Sequence, residues 1–70
     1  MEQTISIVVN GENRAASPGA MVVDLLQALG LDSGRVAIER NREILPRPAW
    51  AQTPVESGDH YEIVQFVGGG

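Results

Sequence analysis

Only one stretch of this chain repeats with the period of a helix, and what flanks it leaves few folds open. Val22, Leu25, Leu26 and Leu29 fall at i, i+3, i+4 and i+7, a single apolar stripe. Asp24 sits in the first turn, where a carboxylate favours the helix dipole. Gly30 is placed to end the helix, with Leu31 folding back on Leu26, whereas Ala20-Met21 offers no side-chain cap at its start. Before the helix, Ile5, Ile7 and Val9 alternate with Thr4, Ser6 and Val8 at strand period. They run into Asn10-Gly11, a pair suited to the two positive-φ positions of a type I′ hairpin turn. A short second strand through Arg14 to Ala16 is predicted to pair back antiparallel, ended by Ser17-Pro18-Gly19. After the helix comes a loop at Asp32-Ser33-Gly34. Val36-Ala37-Ile38 then opens a third strand, Asn41 marks a turn and Ile44-Leu45 makes a short fourth strand. Pro46 and Pro48 exclude an interior strand, so Trp50 falls on an irregular or single helical turn covering an end of the core. Pro54 to Asp59 is connecting loop, turned by Ser57-Gly58-Asp59, and the last strand runs from Tyr61 to Val67. The order is β-β-α-β-β-β: an α+β fold in which one helix packs on one face of a mixed sheet.

No repeat or linker interrupts that order. One domain over residues 1–67 is expected, with residues 68–70 as a flexible tail. A domain of 70 residues often leans on disulfides or a structural metal. With no cysteine and one histidine, neither a disulfide nor a Cys/His zinc site can form, so apolar packing has to suffice. The apolar runs are too short to span a membrane, and Met1-Glu2-Gln3 does not open a signal peptide. A cytoplasmic chain with no membrane partner is the expectation. Five positive against nine acidic residues leave a net charge of −4, which argues against nucleic acid as a partner and for a basic protein surface. All five cations are arginine. A coding preference accounts for this; so does a benefit to a chain carrying an activated acyl group, which gains from having no ε-amine to attack it.

The chemistry lies in the tail. Gly68-Gly69-Gly70 follows the apolar run Ile63-Val64-Gln65-Phe66-Val67 with no polar spacer. A fraying end or a linker stub accounts for three glycines. The alternative is an arm aimed outward by the sheet. Extended, it reaches roughly 10 Å, and without Cβ atoms it can thread a channel closed to any other side chain. At its tip is the Gly70 carboxylate. A carboxylate is a poor electrophile until ATP converts it to an acyl-adenylate. This chain has no lysine and therefore no GxxxxGK[ST] loop to hold the nucleotide, so activation falls to a partner enzyme. A sulfur nucleophile attacking the adenylate leaves a thiocarboxylate. Without cysteine, no persulfide can form on the chain itself.

With these residues in view, the chain resembles the ThiS family, sulfur carriers of thiamine thiazole synthesis, within the ubiquitin-like β-grasp superfamily. The resemblance covers nearly the whole chain. It takes in the Asn10-Gly11 hairpin, the Val22…Leu25-Leu26…Leu29 helix and Val36-Ala37-Ile38 followed by Asn41. It continues through Leu45-Pro46-Arg47 with Trp50 close behind, and Gly58-Asp59, to the terminal Gly68-Gly69-Gly70. Met21 departs from it, standing where the family often has a capping threonine. The resemblance implies that an E1-like, ThiF-like enzyme adenylates Gly70 with ATP, and that sulfur from a cysteine desulfurase converts the adenylate to the thiocarboxylate. A ThiG-like thiazole synthase then takes the sulfur. Gly68 and Gly69 would thread into the partners' active sites. The chain would be a co-substrate of these enzymes, with no bound cofactor, no metal and no catalysis of its own.

Alternation divides the last strand into Tyr61, Ile63, Gln65 and Val67 on one side and His60, Glu62, Val64 and Phe66 on the other. The polar start of the second set assigns it to the outer face, which makes Val64 and Phe66 an exposed apolar patch for partner docking. His60 reads as a surface residue and Glu39, Arg40, Arg42 and Glu43 as a solvated turn; Arg47 either meets an acidic partner or packs beside Trp50. Two other functions stand beside the first. A molybdopterin-synthase small subunit or another thiocarboxylate carrier shares the tail chemistry and differs in acceptor. A β-grasp binding module of a regulatory kind makes the glycines incidental and predicts that losing Gly70 changes nothing. An enzyme in its own right finds no nucleophile with a base beside it.

Overall fold

The computed structural model of the chain describes residues 3–31 and 33–66; the Gly68-Gly69-Gly70 tail and the expected boundary after residue 67 lie outside them. The strands are β1 (Ile5–Val9), β2 (Glu12–Ala16), β3 (Val36–Arg40), β4 (Glu43–Leu45) and β5 (His60–Gln65), and the helix is α1 (Val22–Ala28). They form one mixed sheet in the order β2-β1-β5-β3-β4. The last strand in sequence is thus the middle strand in space, parallel to β1 and antiparallel to β3. This is the β-grasp topology.

Strand parity and the helical stripe converge on one core. Ile7 and Val9 of β1, Val36 and Ile38 of β3, and Tyr61 and Ile63 of β5 meet Val22, Leu25 and Leu26 of α1, with Trp50 and Val55 closing the side. Burying each such side chain contributes roughly 2 kcal/mol. Among the described residues, no buried side-chain nitrogen or oxygen lacks a hydrogen-bond partner.

The helix begins without a side-chain cap at Met21, and the fold supplies the missing acceptors. The Val22 N–H donates to the Thr53 carbonyl at 2.9 Å and the Val23 N–H to the Trp50 carbonyl at 3.1 Å. The Asp24 carboxylate reaches back to accept the Met21 N–H at 2.9 Å. At the other end, Gly30 takes a φ of +74°. Its N–H donates to the Gln27 carbonyl and the Leu31 N–H donates to the Leu26 carbonyl, both at 3.0 Å, which is the Schellman ending. Trp50 caps a 3-10 turn at Arg47–Ala49. It is 4% exposed and donates its indole N–H to the Leu45 carbonyl at 2.9 Å. The Arg47 guanidinium lies 5.2 Å from its ring centroid.

Several features differ from the sequence expectation, the last strand among them, which runs His60–Gln65 rather than Tyr61 to Val67. The second strand starts at Glu12 rather than Arg14, because the two-residue turn lets Glu12 pair with Val9 at once. It is polar and exposed at the sheet edge, so no alternation marks it. The loop at Ser33–Arg35 is a 3-10 turn running directly into β3. Arg40 is not on a solvated turn: its side chain is largely buried against Asp59, which is itself 5% exposed.

Candidate functional site

β5 carries the chain toward its glycine-rich end, and the structure shows how that strand is held. On the β1 side, Val8 and Val9 pair with His60 and Tyr61, and the Asn10 N–H donates to the Tyr61 carbonyl at 2.8 Å. β1 then turns away at Asn10 (φ +51°) and Gly11 (φ +83°). On the β3 side, pairing continues from Arg40↔Tyr61 to Val36↔Gln65, and the Phe66 N–H donates to the Arg35 carbonyl at 2.7 Å. The strand is supported up to the residue before Val67.

Val64 and Phe66 lie on the outer face, 58% and 54% exposed, while Tyr61 and Ile63 face the core. Gln65, grouped by parity with the inward set, is exposed although it pairs with the buried Val36. A third large apolar side chain, Ile44 of β4, is 74% exposed. It pairs with Glu39, which pairs with Glu62, while Ala37 pairs with Val64. Paired residues share a face, so Ile44, Val64 and Phe66 stand on one side of the sheet, with the Glu39 and Glu62 carboxylates in Ile44's row. Sequence reasoning missed Ile44. The available signal was that two adjacent apolar residues in a short strand must point to opposite faces.

Beneath the start of β5 lies a polar cluster that the sequence did not reveal. The Asp59 carboxylate accepts the Glu56 N–H at 2.9 Å, the Tyr61 hydroxyl at 2.8 Å, the Asn41 amide at 3.2 Å and the Arg40 Nε–H at 3.1 Å. Arg40 also reaches the Glu56 carboxylate at 3.6 Å. Burial pushes Asp59 up, but these bonds outweigh it and hold its carboxyl below the ordinary value. Burial, followed by the bond to Asp59, pushes the Tyr61 hydroxyl up to about 12. For Arg40, burial acts downward, and the bonds to Tyr61 and Asp59 more than restore it, leaving it raised. These bonds tie the 54–59 loop to β3 and β5.

Among the described residues, no three His, Cys, Asp or Glu side chains are grouped to hold a metal ion, and no helix is long and apolar enough to cross a membrane. His60 is exposed on the outer face and is joined to Asn41 through its backbone N–H at 2.9 Å. Of the residues singled out by sequence, the structure brings Val64 and Phe66 together at the base of the tail. Gly68, Gly69 and Gly70 lie outside the described residues. The arrangement can present a terminus and a face beside it.

Comparison with known proteins bears on both. The ThiS family model matches residues 7–70. A thiazole synthase of Paramagnetospirillum magneticum is 50% identical over 66 residues, covering 94% of this chain. The chain spans only 20% of the length of that protein, and likewise 20% of a second thiazole synthase from Magnetococcus marinus. The sulfur carrier protein ThiS of Escherichia coli is 32% identical over 66 residues, covering 94% of this chain and all of that one. The crystal structure of a thiamine biosynthesis protein, ThiS, from Geobacter metallireducens superposes with a TM-score of 0.80 at 35% identity, covering 94% of this chain and 100% of that chain. A designed protein built on a ubiquitin template shares the fold alone, at a TM-score of 0.54 and 17% identity, over 100% of this chain and 98% of its own.

Proposed function

This chain belongs to the ThiS family, and from that premise we propose that it is a sulfur carrier of thiamine biosynthesis whose working group is the Gly70 carboxylate. The observation that carries the reading is the reach of the family match, which runs through Gly68-Gly69-Gly70 to residue 70. Residues 1–67 act as the domain and 68–70 as the arm. A ThiF-like enzyme binds ATP, and the Gly70 carboxylate attacks its α-phosphorus, releasing pyrophosphate. A sulfur nucleophile, supplied indirectly by a cysteine desulfurase, displaces AMP and leaves the terminal thiocarboxylate. A thiazole synthase then accepts the sulfur. The resemblance to two thiazole synthases favours that acceptor over molybdopterin synthesis.

The chain's own contribution is presentation. Gly68 and Gly69 add no side-chain bulk where the arm enters a partner. Val64 and Phe66, joined on the same face by Ile44, give the partner an apolar footing at the base of that arm, flanked by Glu39 and Glu62. A partner with an apolar pocket edged by Lys or Arg fits this face. No cofactor is needed on the chain; the nucleotide belongs to the adenylating enzyme.

The test is ATP–pyrophosphate exchange with a ThiF-like enzyme. The full chain supports exchange, and a chain lacking Gly70 does not while keeping its circular dichroism spectrum. Undiminished exchange without Gly70 contradicts the reading.

A further inference from the structure

Two asparagines with the same positive φ clasp β5, one from each neighbouring hairpin. Asn10 and Asn41 both have a φ of +51°. Asn41 holds the beginning of β5: its amide oxygen accepts the His60 N–H at 2.9 Å and its NH2 donates to Asp59 at 3.2 Å. Asn10 holds it further on. Its amide oxygen accepts the Ile63 N–H at 2.7 Å, and its NH2 donates to the Ile63 carbonyl at 3.1 Å. These are the two bonds a paired strand would make to Ile63, and they come from a side chain because β1 has already turned away. The carboxamide therefore acts as one more residue of β1. Without it, two-sided support of β5 ends at Tyr61, whose carbonyl takes the Asn10 N–H; with it, support extends to Ile63, next to Val64. Beyond that point, among the described residues, β5 continues along β3 and the Phe66 N–H bonds to the Arg35 carbonyl.

We infer that Asn10 is a positioning residue for the proposed charging of the C-terminus: by clamping Ile63 it sets the line on which the chain beyond Phe66 enters the adenylating enzyme. This rests on the carrier reading. The docking face is keyed to the other edge of β5, through Ala37↔Val64 and the Phe66 bond to Arg35, so a strand that has lost the clamp still docks by that edge but pivots about it, and the line on which it leads out is no longer fixed.

The test uses the full chain, a ThiF-like enzyme and ATP, with pyrophosphate release giving kcat and KM for the carrier. Asn10→Gly keeps the positive φ and deletes both bonds to Ile63; Asn41→Gly does the same to the clamp at the start of β5 and is the matched control for lost stability. Small misplacements of reacting groups are costly, so kcat for Asn10→Gly is expected to fall about tenfold with KM within about twofold, while Asn41→Gly changes neither. Asn10→Asp, which keeps the acceptor for the Ile63 N–H, is expected to lie between Asn10→Gly and the parent, and it serves if the glycine variant does not fold. Faster hydrogen exchange at the Ile63 amide in the Asn10 variants, with normal exchange in Asn41→Gly, is the accompanying signature. If the parent is charged and the Asn10 variants match it in kcat, or Asn41→Gly loses as much, the positioning role is overturned while the carrier reading stands. If the parent itself is not charged, the carrier reading falls and takes this inference with it.

Discussion

At Asp59 a carboxylate is taken out of water and then given four donors, one of them the Arg40 guanidinium. A domain of this length has a total stability of roughly 4–10 kcal/mol. Asp59→Ala leaves the largely buried Arg40 charge with only the exposed Glu56 carboxylate at 3.6 Å and takes the acceptor from the Tyr61 hydroxyl, and is expected to cost about 3 kcal/mol in urea unfolding, a large share of that total. Asp59 in the folded chain binds its proton more weakly than in the unfolded chain. Its stabilisation is therefore complete above the ordinary carboxylate value of about 4 and is lost as the pH falls through the lower folded value. Tyr61 works in the opposite sense. Its folded value of about 12 exceeds the ordinary value of about 10, so its contribution is full below about pH 10 and is lost as pH rises through the folded value. The chain has a single tyrosine, so absorbance of the tyrosinate reads this group alone. The folded protein should titrate near 12 and the guanidinium-unfolded chain near about 10. A folded-state midpoint near the unfolded one would show that the hydroxyl is neither buried nor bonded to Asp59.

At the scale of the elements, termination is as informative as periodicity. Gly30 ends α1 in the left-handed region, and a Cβ there would meet nothing within 4 Å, so strain alone decides its replacement. Gly30→Ala should lower stability by about 1 kcal/mol, measured by denaturant midpoint, with an unchanged spectrum. No change would mean that the Schellman ending does not hold α1. The helix, β1 and the Asn10-Gly11 turn were legible because period and turn chemistry are local. β2 was only partly so, since a polar edge strand carries no alternation. The burial of Arg40 and Asp59 was illegible for another reason: it follows from the register that sets Arg40 against Tyr61, and register belongs to the assembled sheet. The outward setting of Val64 and Phe66 was readable from their parity with His60 and Glu62. Ile44 was only partly so: Ile44-Leu45 must put one side chain outward, but which one is decided only when β4 pairs with β3. Likewise, Asn10 announced a turn, while its grip on Ile63 needed a strand 53 positions away.

For the whole molecule, the topology puts the last strand between two others, so the segment that leads to the glycine-rich end is anchored by most of the fold. The helix covers one side of the sheet and leaves Ile44, Val64 and Phe66 exposed on the other. Phe66 is half exposed, and its bond to Arg35 is made by the backbone. Phe66→Ala should therefore change stability by less than about 0.5 kcal/mol. Its KM with a ThiF-like enzyme should rise by about tenfold, as for an aromatic anchor. An unfolded variant, or an unchanged KM, would remove Phe66 from the docking face. The central claim is that the Gly70 carboxylate carries sulfur, and intact-mass spectrometry of the protein isolated from its native host tests it most directly. The account predicts a fraction of molecules heavier by the difference between one sulfur and one oxygen atom, with the increment in the fragment that contains Gly70. A single unmodified mass in cells actively making thiamine, or an increment mapped elsewhere on the chain, would contradict it.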